Sequence, residues 1–161
     1  MSTGIWLIAV YCYVVVYLGA FVRHTNSTAG CIGWPLCNGK LVPALEGATT
    51  IVFIHRVAAI LFLVSVLALF SVCTKKATGA TQIFYSWVRA ALILTVLQVL
   101  SGGYLTYMIG HDWYLLASLL HTVLISCLFG LLSYLCMLTL QWEPVEGKGE
   151  GYVVRQSTRI S

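Results

Sequence analysis

Four long apolar stretches decide what this chain can become. They run over residues 5–22, 50–73, 85–109 and 113–141. A helix crossing the hydrocarbon of a bilayer takes roughly 20 residues. Lipid offers no partner for a bare N–H or C=O, so such stretches cross as α-helices that satisfy their own backbones. The chain is 60% hydrophobic and 9% charged, where a soluble domain carries about 25% charged residues. The expected fold is an all-α membrane protein, one antiparallel bundle of four transmembrane helices over residues 1–141. The remainder, 142–161, is polar, glycine-rich and mixed in charge, and reads as a flexible cytoplasmic tail. The first stretch has neither a basic leading segment nor a small-residue cleavage site before Arg23, so it reads as a retained helix rather than a removed signal.

The net charge of +4 is spread along the chain rather than gathered in a patch, which argues against a nucleic-acid partner. It sorts by side. Lys75, Lys76, Lys148, Arg155 and Arg159 fall on the side shared by both termini and the middle connection, with Arg89 near its boundary. Arg23, Lys40 and Arg56 fall on the other side. The excess of Lys and Arg on cytoplasmic segments then places both termini in the cytoplasm and the 23–48 loop outside. The expectation is a multi-pass protein of the inner or cell membrane. Cys31 and Cys37 lie in that outer loop, in "CIGWPLC". An oxidising exterior permits them to pair, and Gly33 and Pro35 turn the chain between them. A disulfide is favoured over free thiols, either structural or redox-active. The other four cysteines lie in or at the ends of the apolar stretches, as small hydrophobes do.

His55 and His121 are the residues that apolar packing does not explain. Both sit in helices that begin on the outer side, at depths of roughly 8 Å and roughly 12 Å at 1.5 Å per residue. If helices 2 and 4 face each other, the two imidazoles share one volume. A single intramembrane histidine often only hydrogen-bonds a neighbouring helix. A matched pair on non-adjacent helices is a functional candidate, and bundle cores are frequent cofactor sites. Zinc asks for about four ligands; a porphyrin iron needs one or two, within apolar walls. Ser101, Gly102 and Gly103 keep helix 3 small-sided, which admits either a flat macrocycle or close helix packing. Arg56 and Arg23, at the outer edge, suit the carboxylates of such a group, although an arginine at a helix end also snorkels for its own sake. His24 and His111 lie outside the apolar stretches and have no assigned role.

Several segments resemble haem A synthases. These are "GAFVRHTNSTAGCIGWPLCNG" at 19–39, "HR" at 55–56, "QVLSGGYLT" at 98–106, and His121 in the fourth helix. The resemblance implies four helices forming one half, the N-terminal one, of an eight-helix family built from two similar halves, each placing a histidine pair around one haem. It implies haem b, or haem O and haem A as substrate and product, as the bound group. The implied reaction oxidises a methyl of haem O to a formyl for cytochrome oxidase biogenesis. It also implies completion by homo-oligomerisation or by joining a larger membrane complex. One position departs. Three residues before the second-helix histidine the family usually carries a glutamate, and here stands Val52, which can neither relay protons nor stabilise a cation. Two functions follow from these readings: a short haem A synthase, or a non-catalytic bis-histidine haem b subunit for electron transfer, anchoring or assembly. Thiol oxidoreduction is a third class, but it usually takes a second cysteine pair as relay, and only one outward pair exists, spaced C-x5-C.

Overall fold

The computed structural model describes residues 2–75, 82–140, 142–144 and 152–154. Four helices carry the fold: α1 Ser2–His24, α2 Gly47–Lys75, α3 Gln82–Tyr107 and α4 Tyr114–Leu140. All four are long and apolar enough to cross a membrane. The four apolar stretches therefore become four helices, with α3 ending at Tyr107, two residues before the expected end. Gly110, at φ +84°, takes the left-handed turn that lets the chain reverse into α4. His24, read as a loop residue, is the last residue of α1. Beyond α4, Trp142–Pro144 pairs antiparallel with Tyr152–Val154. The rest of 142–161, and with it most of the expected flexible tail, lies outside the described residues, as do Lys76, Lys148, Arg155 and Arg159.

The helices pack in chain order, α1 on α2, α2 on α3, α3 on α4 and α4 back on α1. The ring places α2 and α4 on a diagonal. Each helix contributes an inward stripe at helical spacing. These are Ile5, Ile8, Cys12 and Val15 on α1; Phe62, Val66, Leu69 and Cys73 on α2; Phe84, Val88 and Ala91 on α3; and Leu128, Leu132, Leu135 and Cys136 on α4. Most belong to the end of the bundle where α1 starts and α4 finishes, so that end is solid; Cys12, Val15, Phe62 and Leu128 reach the middle of the bundle. In lipid this packing is held by dispersion and close fit rather than by expulsion of water. Tyr11 adds a polar tie, its hydroxyl donating to the Ala58 carbonyl at 3.0 Å. The outward faces are apolar too, with Leu7, Val10, Tyr13 and Tyr17 on α1 and Leu116, Leu119, Leu120 and Val123 on α4 exposed. So large an apolar surface would be a liability in water and is what lipid contact requires.

The opposite end is capped by the 25–46 loop. Asn38 and Gly39, both at positive φ, form the centre of a tight turn in which Cys37 and Lys40 exchange backbone hydrogen bonds at 3.0 Å; left-handed turns of this kind favour Asn-Gly. Cys31 and Cys37 form a disulfide across a Cα–Cα distance of 4.8 Å. Gly30 lies so close to the start of α2 that a Cβ there would come within 2.5 Å of the Ala48 carbonyl. Its own carbonyl accepts from Thr49 Oγ1 at 2.8 Å and from Asn38 Nδ2 at 3.0 Å. Cys31, Cys37, Val22 and Val52 make a second, smaller buried cluster beneath.

Candidate functional site

Between the solid end and the loop lies a cavity of about 350 Å³, within the size range of small-molecule sites. Cys12, Phe62, Thr95 and Leu128 form its floor, and Arg23, Trp34, Pro35, Arg56 and Tyr114 stand among its other lining residues. His55 and His121 both line it, brought there from diagonal helices. Each imidazole rests on a glycine of the neighbouring helix. A Cβ on Gly19 of α1 would lie 3.0 Å from His55 Cε1, and one on Gly102 of α3 would lie 3.1 Å from His121 Cε1.

The two rings differ in what holds them. His121 is tied to α3, with Ser101 Oγ 2.8 Å from its Nδ1 and Gln98 Nε2 3.0 Å from its Nε2. His55 Nδ1 is buried with no hydrogen-bond partner, and so is Gln98 Oε1. A buried polar atom left unpaired costs about 1–3 kcal/mol. Two such atoms at one cavity are a reason to look for a ligand there. The donor set narrows the choice. Two imidazoles meet apolar walls, and among the described residues no group of three His, Cys, Asp or Glu is placed to hold a metal ion. That pattern suits a porphyrin iron, which takes axial ligands from two sides, rather than a zinc ion.

The arginines are engaged. Arg56 donates from Nη1 to the carbonyls of Gly33 at 2.9 Å and Leu36 at 3.2 Å, and from Nη2 to that of Cys31 at 2.7 Å. Three of its five N–H groups thus hold the disulfide loop, while its side chain still borders the cavity. Arg23 donates to Ser118 Oγ at 2.6 Å, tying α1 to α4. Gly102 and Gly103 both line the cavity, and α3 passes through them unbroken. Gly102 makes room for His121, and Gly103 for the indole of Trp34, which a Cβ would meet at 3.0 Å. Trp34 is held from above as well, its carbonyl accepting from the Tyr107 hydroxyl at 2.7 Å. Val52 lines the cavity, and among the described residues no carboxylate does. Glu46 is exposed in the loop before α2, and His24 and His111 are exposed away from the cavity.

Sequence reasoning missed Gly19, Gln98 and Ser101 as neighbours of the histidines, and Trp34 as part of the cavity wall. The i, i+3, i+4 spacing of Gln98, Ser101 and Gly102 was the available signal, since it places all three on one helix face.

Comparison with known proteins bears on this site. Residues 3–49 match the COX15-CtaA family, described as cytochrome oxidase assembly protein. The chain is 45% identical over 145 residues to the heme A synthase of Symbiobacterium thermophilum, covering 87% of this chain and 44% of that protein. It is 39% identical over 132 residues to the heme A synthase of Shouchella clausii, covering 81% and 43%. It is 34% identical over 141 residues to that of Geobacillus kaustophilus, covering 88% and 43%. The chain therefore spans less than half the length of these relatives.

Proposed function

Starting from a chain that resembles the haem A synthases across its four membrane helices, we propose that it binds haem between His55 and His121 and takes part in converting haem O to haem A for cytochrome oxidase. The observation that carries the reading is the pair of histidines, on diagonal helices, lining one cavity in a chain with these relatives. His55 and His121 would ligate the iron. Arg23 and the remaining N–H groups of Arg56, at the cavity border, would take the carboxylates of the macrocycle. Bound there, haem supplies a redox-active iron or, as haem O, the methyl group to be oxidised. The protein's own contribution is to hold the rings, to exclude water behind Trp34, and to keep the site apolar. In this reading both termini are cytoplasmic, the Cys31–Cys37 loop faces outward, and a second copy or a larger membrane complex completes the assembly.

A second reading has its own support. Among the described residues no carboxylate lines the cavity, Val52 standing where the haem A synthases usually carry a glutamate. Both histidines bound to one haem iron would leave it no open coordination site. Both facts favour a bis-histidine haem b subunit that passes electrons or anchors a respiratory complex.

The test has two stages. The purified protein should give a low-spin haem signal in its reduced-minus-oxidised spectrum. His55→Ala or His121→Ala should remove it, and survival of the signal in both variants would refute the site. Haem extracted from cells supplied with haem O should then contain hydroxylated or formylated product. Loaded protein without product would leave the carrier reading standing alone.

A further inference from the structure

The hydrogen bonds around His121 fix more than its position. Ser101 has one hydroxyl proton, and it is donated to the Gln98 carbonyl of its own helix at 2.9 Å. Toward His121 Nδ1, at 2.8 Å, the same oxygen is left to accept. The proton in that bond therefore sits on Nδ1, and the neutral ring keeps its lone pair on Nε2. Gln98 Nε2 lies 3.0 Å from Nε2 and 3.3 Å from Nδ1, so it sits against the face of the ring and off the line of the Nε2 lone pair, while Gln98 Oε1 is buried with no partner. Gly102 lets the ring lie close against α3, so all three contacts come from one helix face.

We infer that Ser101 is a positioning residue that locks His121 in the Nδ1–H tautomer and so keeps its Nε2 lone pair for an incoming metal. The inference rests on the haem reading for the identity of the incoming group, but the tautomer does not. A histidine that binds metal through one nitrogen commonly donates its other N–H to a fixed acceptor, which sets ring orientation and ligand basicity. Here that acceptor is a serine hydroxyl already oriented by its own helix.

Two measurements test this. Nitrogen NMR of histidine-labelled haem-free protein in detergent should show His121, identified by loss of its signals in His121→Gln, as the Nδ1–H form. Free imidazole side chains in water favour Nε2–H, so the result is diagnostic. Ser101→Ala should move the ring toward Nε2–H, and Ser101→Thr, which keeps the hydroxyl, should not. A wild-type ring in the Nε2–H form, or a ring unmoved in Ser101→Ala, overturns the role of Ser101. In haem titrations, Ser101→Ala should bind about tenfold or more weakly than wild type, and Ser101→Thr close to wild type. Binding by Ser101→Ala as tight as wild type overturns the link between tautomer and ligand. A wild-type protein that takes up no haem removes the haem reading, while the ring spectrum still decides Ser101.

Discussion

Val52 is the residue on which enzyme and carrier part. It is buried, lines the cavity, and lies one turn from His55. A carboxylate placed there would face apolar neighbours, and burying it has a cost of several kcal/mol unless it finds partners. Val52→Glu should therefore lower the melting temperature of haem-free protein. If the chain retains the remaining machinery of a synthase, the same variant should yield more hydroxylated or formylated haem than wild type when haem O is supplied. Val52→Gln, with no ionisable proton, should leave the yield unchanged. Gly19 offers a cleaner geometric test. A Cβ there would already touch the His55 ring, so Gly19→Leu should displace the imidazole and remove most of the low-spin signal, while helix content by circular dichroism stays close to wild type.

At the scale of elements, the disulfide loop is bound to the bundle by one side chain more than any other among the described residues. Arg56 reaches three carbonyls of the disulfide loop, and hydrogen bonds to a charged group are worth about 1.5–3 kcal/mol each when shielded from water. Arg56→Met should destabilise the protein by about 2–4 kcal/mol in thermal or denaturant melts and make the Cys31–Cys37 bond reducible at lower thiol concentration. The helices themselves were legible in the sequence because apolar length and helical period are local properties; each inner stripe can be traced along its own segment. The pairing of Cys31 with Cys37 was legible for a similar reason, since the loop between them is short and turn-rich. Arg56 was not. Its position about 100° around the helix from His55 pointed it at the cavity rim, but the carbonyls that claim it come from residues 20 to 25 positions away, and no sequence pattern marks where a loop carbonyl will point. Gly103 is similar. Its smallness was readable, but the indole that fills the space arrives from the loop by tertiary folding.

The whole molecule divides into a solid half and a hollow half, and the solid half owes nothing to a ligand. Leu128, Leu132, Val66 and Val88 are 0–1% exposed in that half, so four helices are already fastened at one end. Protein produced in cells starved of haem should fold, insert and melt within a few degrees of loaded protein, with the loss concentrated at the loop end. Hydrogen exchange should show it, with slow amides around Val66 and Leu132 unaffected and those around His55 and Ser118 faster. The sealed base has a further meaning for anything that visits the chamber above it. A vessel closed at the bottom can be filled or emptied without its walls coming apart, whether it handles a reactant or keeps a permanent guest.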